Sequence, residues 1–147
     1  MDVFQAGFEH LEAVAKLFDQ YRVFYQAPSD FEAAKTFISK RLQENSSVIF
    51  VICHGGEIVG FTQLYPTFSS VAMKRVWILN DLFVEEAYRH RGMARLLLNA
   101  VAEFAKATDS ARIILATQIS NTSAQSLYES GGYCQDEAFY HYTLSLT

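Results

Sequence analysis

Apolar residues recur at helical spacing at Leu11, Val14, Ala15, Phe18, Tyr21 and Tyr25, which predicts an amphipathic helix over residues 9–25. Pro28 ends that pattern. Ser29 and Glu32 then form an S-x-x-E capping box, with Ser29 as the cap of a second helix that carries Phe31, Ala34, Ile38 and Leu42 on one face. The period changes after that. SVIFVIC, residues 47–53, is β-branched and apolar, as a buried strand is. HGGE follows as a turn, with Gly55 and Gly56 to supply the positive φ of a tight hairpin. Ile58–Tyr65 reads as the returning strand, residues 66–74 as a loop, and Arg75–Val84 as a long central strand. Ala94, Leu97, Leu98, Val101, Phe104 and Ala105 repeat at three and four, the clearest helix of the chain. Arg112–Thr117 reads as a strand. Asn121 caps a helix holding Ala124, Leu127 and Tyr128, closed by Gly131, and the alternation of Phe139–Leu146 predicts a last strand. The order ααβββαβαβ implies an α/β fold, a mixed sheet with helices on both faces.

Composition narrows the class. The chain has 147 residues, half hydrophobic and 14% aromatic, with no Gly/Ser linker, so a single domain over 1–147 is expected. A net charge of -4 argues against nonspecific nucleic-acid binding. No signal-peptide pattern opens the chain and no apolar run approaches a membrane span, so a soluble cytoplasmic protein with no membrane partner is expected. Cys53 ends an apolar run and reads as buried and inert; with Cys134 it makes no disulfide framework. His10, His54, His90 and His141 lie far apart, without metal-ligand spacing, so no metal is expected.

One stretch stands against the acidic background: YRHRGMARLLL, Tyr88 to Leu98, gathers Arg89, His90, Arg91 and Arg95 around Gly92 where a helix begins. A helix start has unpaired N–H groups and the positive end of the dipole, and it binds phosphate. Gly92 lets an anion approach the backbone, and Ala94 is small enough for the same. An Arg fork binds phosphate bidentately. Cations at a helix N-terminus oppose the dipole, so they need a reason. On this physics alone a phosphate cradle and a solvated basic turn stand level. Neither G-x-x-x-x-G-K-[ST] nor G-x-G-x-x-G is present.

Three motifs carry a resemblance. Arg89-x-x-Gly92-x-Ala94 resembles the Q/R-x-x-G-x-G/A signature of the GNAT superfamily of N-acetyltransferases; WILNDLFV resembles the strand before it; NTSAQSLYESGGY resembles the N-x-x-A-x-x-L-Y segment after it. The likeness covers nearly the whole chain, with some similarity to diamine (spermidine/spermine) acetyltransferases. It implies a mostly antiparallel sheet flanked by helices and an acetyl-CoA-dependent transfer to a primary amine by direct attack in a ternary complex. By position, backbone N–H groups of Arg91, Gly92, Met93, Ala94 and Arg95 would hold the pyrophosphate, with Arg89 and His90 in the same loop. The backbone of Leu82, Phe83 and Val84 would pair with the pantetheine arm, admitted by a splay near Asn80–Val84 and Leu115–Thr117, and Asn121 would hydrogen-bond the pantetheine or shape the cofactor's far wall.

Tyr128 sits where the family places its general acid. A phenol, protonated at neutral pH, can give a proton to the departing thiolate. From spacing alone Tyr128 is a core aromatic beside Leu127. Asp81 is the candidate base, with a buried structural carboxylate as the equal alternative. The acidic pair of the spermidine/spermine-acetyltransferase-like members reads Asn80-Asp81 here, without its first acid, and strand alternation would turn the two to opposite sides, so that only one faces the acceptor. Tyr21, Phe24, Tyr25, Phe68, Trp77, Phe139 and Tyr140 are candidate walls for a cationic amine. The expected acceptor is a small cationic amine. A protein lysine or N-terminal amine, and a noncatalytic acyl-CoA-binding module, are the alternatives. A homodimer involving the aromatic C-terminal strand is possible on the family's habit.

Overall fold

The sheet runs in chain order. Its strands are β1 (Asp2–Gln5), β2 (Val48–His54), β3 (Glu57–Ser69), β4 (Lys74–Val84) and β5 (Arg112–Ile114), ordered β1-β2-β3-β4-β5. Neighbours through β4 are antiparallel, and β5 joins β4 in parallel. The helices are α1 (Leu11–Phe24), α2 (Phe31–Glu44), α3 (Met93–Ala107) and α4 (Thr122–Ser130). The structure is a computed structural model that describes residues 1–147. It divides into two compact units, Met1–Ala116 and Thr117–Thr147.

In the first unit, alternation along the strands makes two apolar faces. Ile49, Val51, Phe61 and Phe83 meet Val14, Leu17 and Phe18 of α1 and Ala34 and Ile38 of α2. The opposite face receives α3. The Phe104 ring lies 5.4 Å from Phe50 and 5.2 Å from Trp77. Met93, Leu97, Leu98, Val101 and Ala105 bury the stripe that the spacing predicts. Each fully buried Leu or Val contributes about 1.5–3 kcal/mol, so these faces hold the sheet against its helices.

Several expectations change. β1, four residues long, is too short to announce itself and exists because β2 pairs with it. The cap of α2 is Asp30, whose side chain accepts from Ala33 N–H at 3.1 Å. Ser29 instead donates to Asp19 Oδ2 at 2.7 Å, and Asp30 N–H to Asp19 Oδ1 at 2.8 Å, which ties the interhelix turn to α1. β3 runs past Pro66 to Ser69. Its pairing with β2 stops at Leu64, so beyond that point β3 has an open edge where a proline without an N–H is tolerated.

β5 is three residues, not six, and Leu115–Thr117 carry no ladder. The last strand is not formed. The predicted order therefore gains β1 and loses its final β. Alternation supplies propensity, but a strand needs a partner for its N–H and C=O groups. Residues 139–146 lie outside any ladder, with Tyr140 90% and Leu146 88% exposed. In the same unit Asn121 caps α4 as expected, accepting from Ala124 N–H at 3.1 Å, and Gly131 ends it.

Candidate active site

The centre of the site is a bulge. Gln63 pairs with Asp81 and Leu64 with Leu79, which leaves Asn80 as an extra residue of β4. The bulge breaks the alternation. Asn80 and Asp81 therefore both line one cavity of about 350 Å³, beside Phe18, Tyr21, Tyr25, Phe37 and Tyr65, with Arg22. The expectation that only one of the pair could face this space is corrected by that shift.

Asp81 is 3% exposed and heavily bonded. Gln63 Nε2 donates to its Oδ2 at 2.6 Å and Asn80 Nδ2 to its Oδ1 at 3.1 Å. The Tyr21 hydroxyl donates to the Asn80 carbonyl at 3.3 Å and, from beside it, also lowers the Asp81 carboxyl. Ser47 Oγ donates to Gln63 Oε1 at 2.8 Å, which turns the Gln63 amide N–H toward Asp81. Burial pushes the Asp81 carboxyl up, and Gln63, Asn80 and Tyr21 pull it partly back. Tyr65 is pushed up to about 12, first by burial and then by the Asp81 charge, so its phenol keeps its proton. Ser47, Gln63 and Tyr65 were not singled out by sequence. The signal was there: Thr62 and Gln63 are consecutive polar residues in an apolar strand, and both are fully buried.

Of the candidate aromatic walls, Tyr21 and Tyr25 line this cavity. Phe24 lines a second cavity with Phe83 and Arg89. Trp77 lies under α3, its indole N–H donating to Thr108 Oγ1 at 3.0 Å. Phe68 is exposed under the Arg75 guanidinium, and Phe139 and Tyr140 are exposed in the second unit.

The basic loop divides its labour. Arg89 Nε donates to the Val84 carbonyl at 2.8 Å, and its guanidinium lies over the rings of Phe24 and Phe83 at 5.3 and 5.2 Å. It fastens the loop to β4 and the end of α1. Arg91 is exposed, over the Tyr88 ring at 5.6 Å. Gly92 is the N-cap of α3 at φ +82°, and no atom lies within 4 Å of where its Cβ would stand. Leu96 N–H makes the first intrahelical bond, to Gly92, so Met93 and Ala94 have no acceptor inside the helix. No acidic residue stands in the first turn. An anion fits there: open space, N–H groups without an acceptor inside the helix and the exposed Arg91 cation converge.

An open edge completes the first unit's site. β4 pairs with β5 only over Val76–Ile78, so from Leu79 to Val84 its outer edge has no strand beside it. An extended chain can pair with that edge. Asn121 and Tyr128 belong to the second unit. Asn121 spends its side-chain oxygen on the cap of α4, and Tyr128 is half-buried with its ring 5.8 Å from that of Tyr133. No cluster of three His, Cys, Asp or Glu side chains is placed to hold a metal ion. No helix is long and apolar enough to cross a membrane.

Comparison with known proteins gives a consistent result. The acetyltransferase (GNAT) family profile matches residues 11–133. An uncharacterised N-acetyltransferase of Bacillus subtilis (strain 168), YhfO, is 45% identical over 99% of this chain and 98% of its own. The crystal structure of a probable acetyltransferase covers 100% of this chain and 99% of its own, with 42% identity and a TM-score of 0.96. An aminoglycoside N-acetyltransferase in complex with CoA shares the fold at a TM-score of 0.80 and 23% identity, over 97% of this chain and 93% of its own.

Proposed function

The chain belongs to the acetyltransferase (GNAT) family and is an N-acetyltransferase, and from that premise we propose that it moves the acetyl group of acetyl-CoA directly to a small free amine. The observation that carries this reading is the continuity of β4. Asn80 and Asp81 line the aromatic cavity, and the next residues, Leu82 to Val84, form the open edge. An amine in the cavity and a thioester arm on that edge meet on neighbouring residues of one strand. The neighbour solved with CoA supports the choice of donor. The first turn of α3 fits the pyrophosphate, with Met93 and Ala94 N–H and the Arg91 charge on it. One acetyltransferase domain over both units agrees with a family match that spans them.

The reaction balances simply. The acceptor nitrogen attacks the acetyl carbonyl carbon, a C–N bond forms and the C–S bond breaks. The nitrogen gives up a proton and the sulfur takes one, leaving an amide and a thiol. An acceptor bound as an ammonium first gives one proton to Asp81, which frees its lone pair and passes that proton on to solvent; the second proton, lost from nitrogen after attack, balances the one the sulfur takes, and Tyr128 is the phenol that donates toward that sulfur. The aromatic walls stabilise a cationic head by cation–π contact. Free thiols at Cys53 and Cys134 suit a reducing cytoplasm, where acetyl-CoA is available. Incubation with acetyl-CoA and a panel of polyamines, amino acids, aminoglycosides and lysine peptides, read by mass spectrometry, tests the reading. An N-acetylated small amine is expected; acetylation confined to peptides would overturn the small-amine acceptor.

A second copy of the chain is the partner this reading gives the C-terminal segment. Tyr140, Tyr142, Leu144 and Leu146 alternate and are all at least 85% exposed, a strand face without a sheet. Light scattering is expected to give a dimer, and removal of residues 138–147 a monomer. A full-length monomer would contradict it.

A further inference from the structure

We propose that the acceptor carries a carboxylate beside its amine, and that Arg22 binds that carboxylate while Asp81 takes the amine. The inference rests on the acetyltransferase reading of the β4 cavity and adds the acceptor's class: an amino acid rather than a di- or polyamine.

The charges of the cavity carry it. Asp81 and Arg22 are the charged residues that line it; the remaining lining is aromatic or neutral. A polyamine brings two or more ammonium groups, and here they would meet one carboxylate and one guanidinium. The second ammonium would face a like charge. An amino acid brings one charge of each sign and satisfies both residues. Arg22 is available for that role. Its helix neighbour Asp19, three residues earlier, has its two oxygens engaged by Ser29 Oγ and Asp30 N–H and meets Arg22 only as a charge at longer range. No carboxylate lies within ion-pair distance of the Arg22 guanidinium. An Arg fork suits a planar carboxylate. At about 350 Å³ the cavity is of single-amino-acid scale, near the small end of ligand pockets. Tyr21, Tyr25 and Phe37 offer their rings to the rest of the molecule.

Matched pairs test it: ornithine against putrescine, lysine against cadaverine, phenylalanine against phenethylamine. Each pair differs by the carboxylate alone. For at least one pair, kcat/KM is expected to favour the amino acid by about tenfold or more, the scale of a charge-assisted hydrogen bond. Arg22→Ala is expected to erase that preference chiefly through KM, and Arg22→Lys to restore part of it. Equal or better use of the decarboxylated amines overturns the proposal, as does a preference that survives Arg22→Ala. If no pair yields product, the small-amine reading fails, and calorimetric titration of the same pairs decides the carboxylate site separately. Amino-acid binding lost in Arg22→Ala then upholds it; equal binding within each pair, or none, overturns it.

Discussion

Gln63 and Asp81 face each other across β3 and β4, joined by a 2.6 Å hydrogen bond from the amide to the carboxylate, at the point where the strand register slips. The bond fixes Asp81 at the floor of the cavity. The slip lets Asn80 share the same space and donate to the other oxygen.

That arrangement sets a pH dependence. Burial raises the Asp81 carboxyl above its ordinary 3.8. A raised carboxyl makes its most favourable contribution to stability below the unfolded value. The contribution falls as pH rises from there through the folded value, since the unfolded chain releases its proton first. The base proposed for the reaction acts in its ionised form. The acid limb of kcat/KM is therefore expected above pH 3.8, and a limb at or below that value would count against Asp81 as the base. Asp81→Asn sets an NH2 group among donors. It is expected to lower turnover by about 100-fold or more, with a stability loss of about 1–3 kcal/mol for the mispaired amide.

Gly92 offers a test of the donor site. Its φ of +82° costs a side-chain-bearing residue about 1–2 kcal/mol, while the space for a Cβ is open. Gly92→Ala therefore pays the backbone strain alone. Gly92→Asp adds a negative charge where a pyrophosphate would lie. Calorimetry is expected to give about a 100-fold loss of acetyl-CoA affinity in Gly92→Asp and a much smaller loss in Gly92→Ala. Equal affinities in the two variants would remove this turn from the binding site.

Much of this was legible in the chain. The α3 stripe, the Gly55-Gly56 hairpin and the Asn121 cap follow from local rules: period, positive φ and a side-chain acceptor. What escaped depends on register. Strand alternation puts Asn80 and Asp81 on opposite sides, and only the pairing of Gln63 with Asp81 and Leu64 with Leu79 reveals the bulge that unites them. Gln63 and Ser47 act through that pairing, so neither could be assigned from spacing. Arg89 read as one more phosphate cation. The Val84 carbonyl and two aromatic rings that hold its side chain come from distant or folded-back segments. Phe139–Leu146 had the pattern of a strand but no ladder to join.

Asp19 tests the α1–α2 junction that frames the cavity. Its carboxyl is held below 3.8, chiefly by the Ser29 hydroxyl and then by the Asp30 N–H. A depressed carboxyl contributes stability that is present above 3.8 and is lost as pH falls through the folded value. Asp19→Ala removes both hydrogen bonds and is expected to cost about 1–2 kcal/mol at pH 7 by urea denaturation. The gap between the two proteins should close in acid; a gap independent of pH would contradict the assignment.

The proposed mechanism gives the Tyr128 hydroxyl a proton-donating step at the cofactor's sulfur, while its ring stays beside the cofactor. Tyr128→Phe keeps the ring and removes the hydroxyl. Turnover is expected to drop about 10- to 100-fold with acetyl-CoA affinity little changed. Undiminished turnover would leave Tyr128 as a packing residue of α4.

The most direct test is the initial velocity of thiol release with acetyl-CoA and the best acceptor both varied. Direct attack in a ternary complex predicts intersecting double-reciprocal lines, with one N-acetylated product formed per thiol released. Parallel lines, the mark of an acetyl group held covalently by the enzyme, or thiol release without an acetylated amine, would contradict the account.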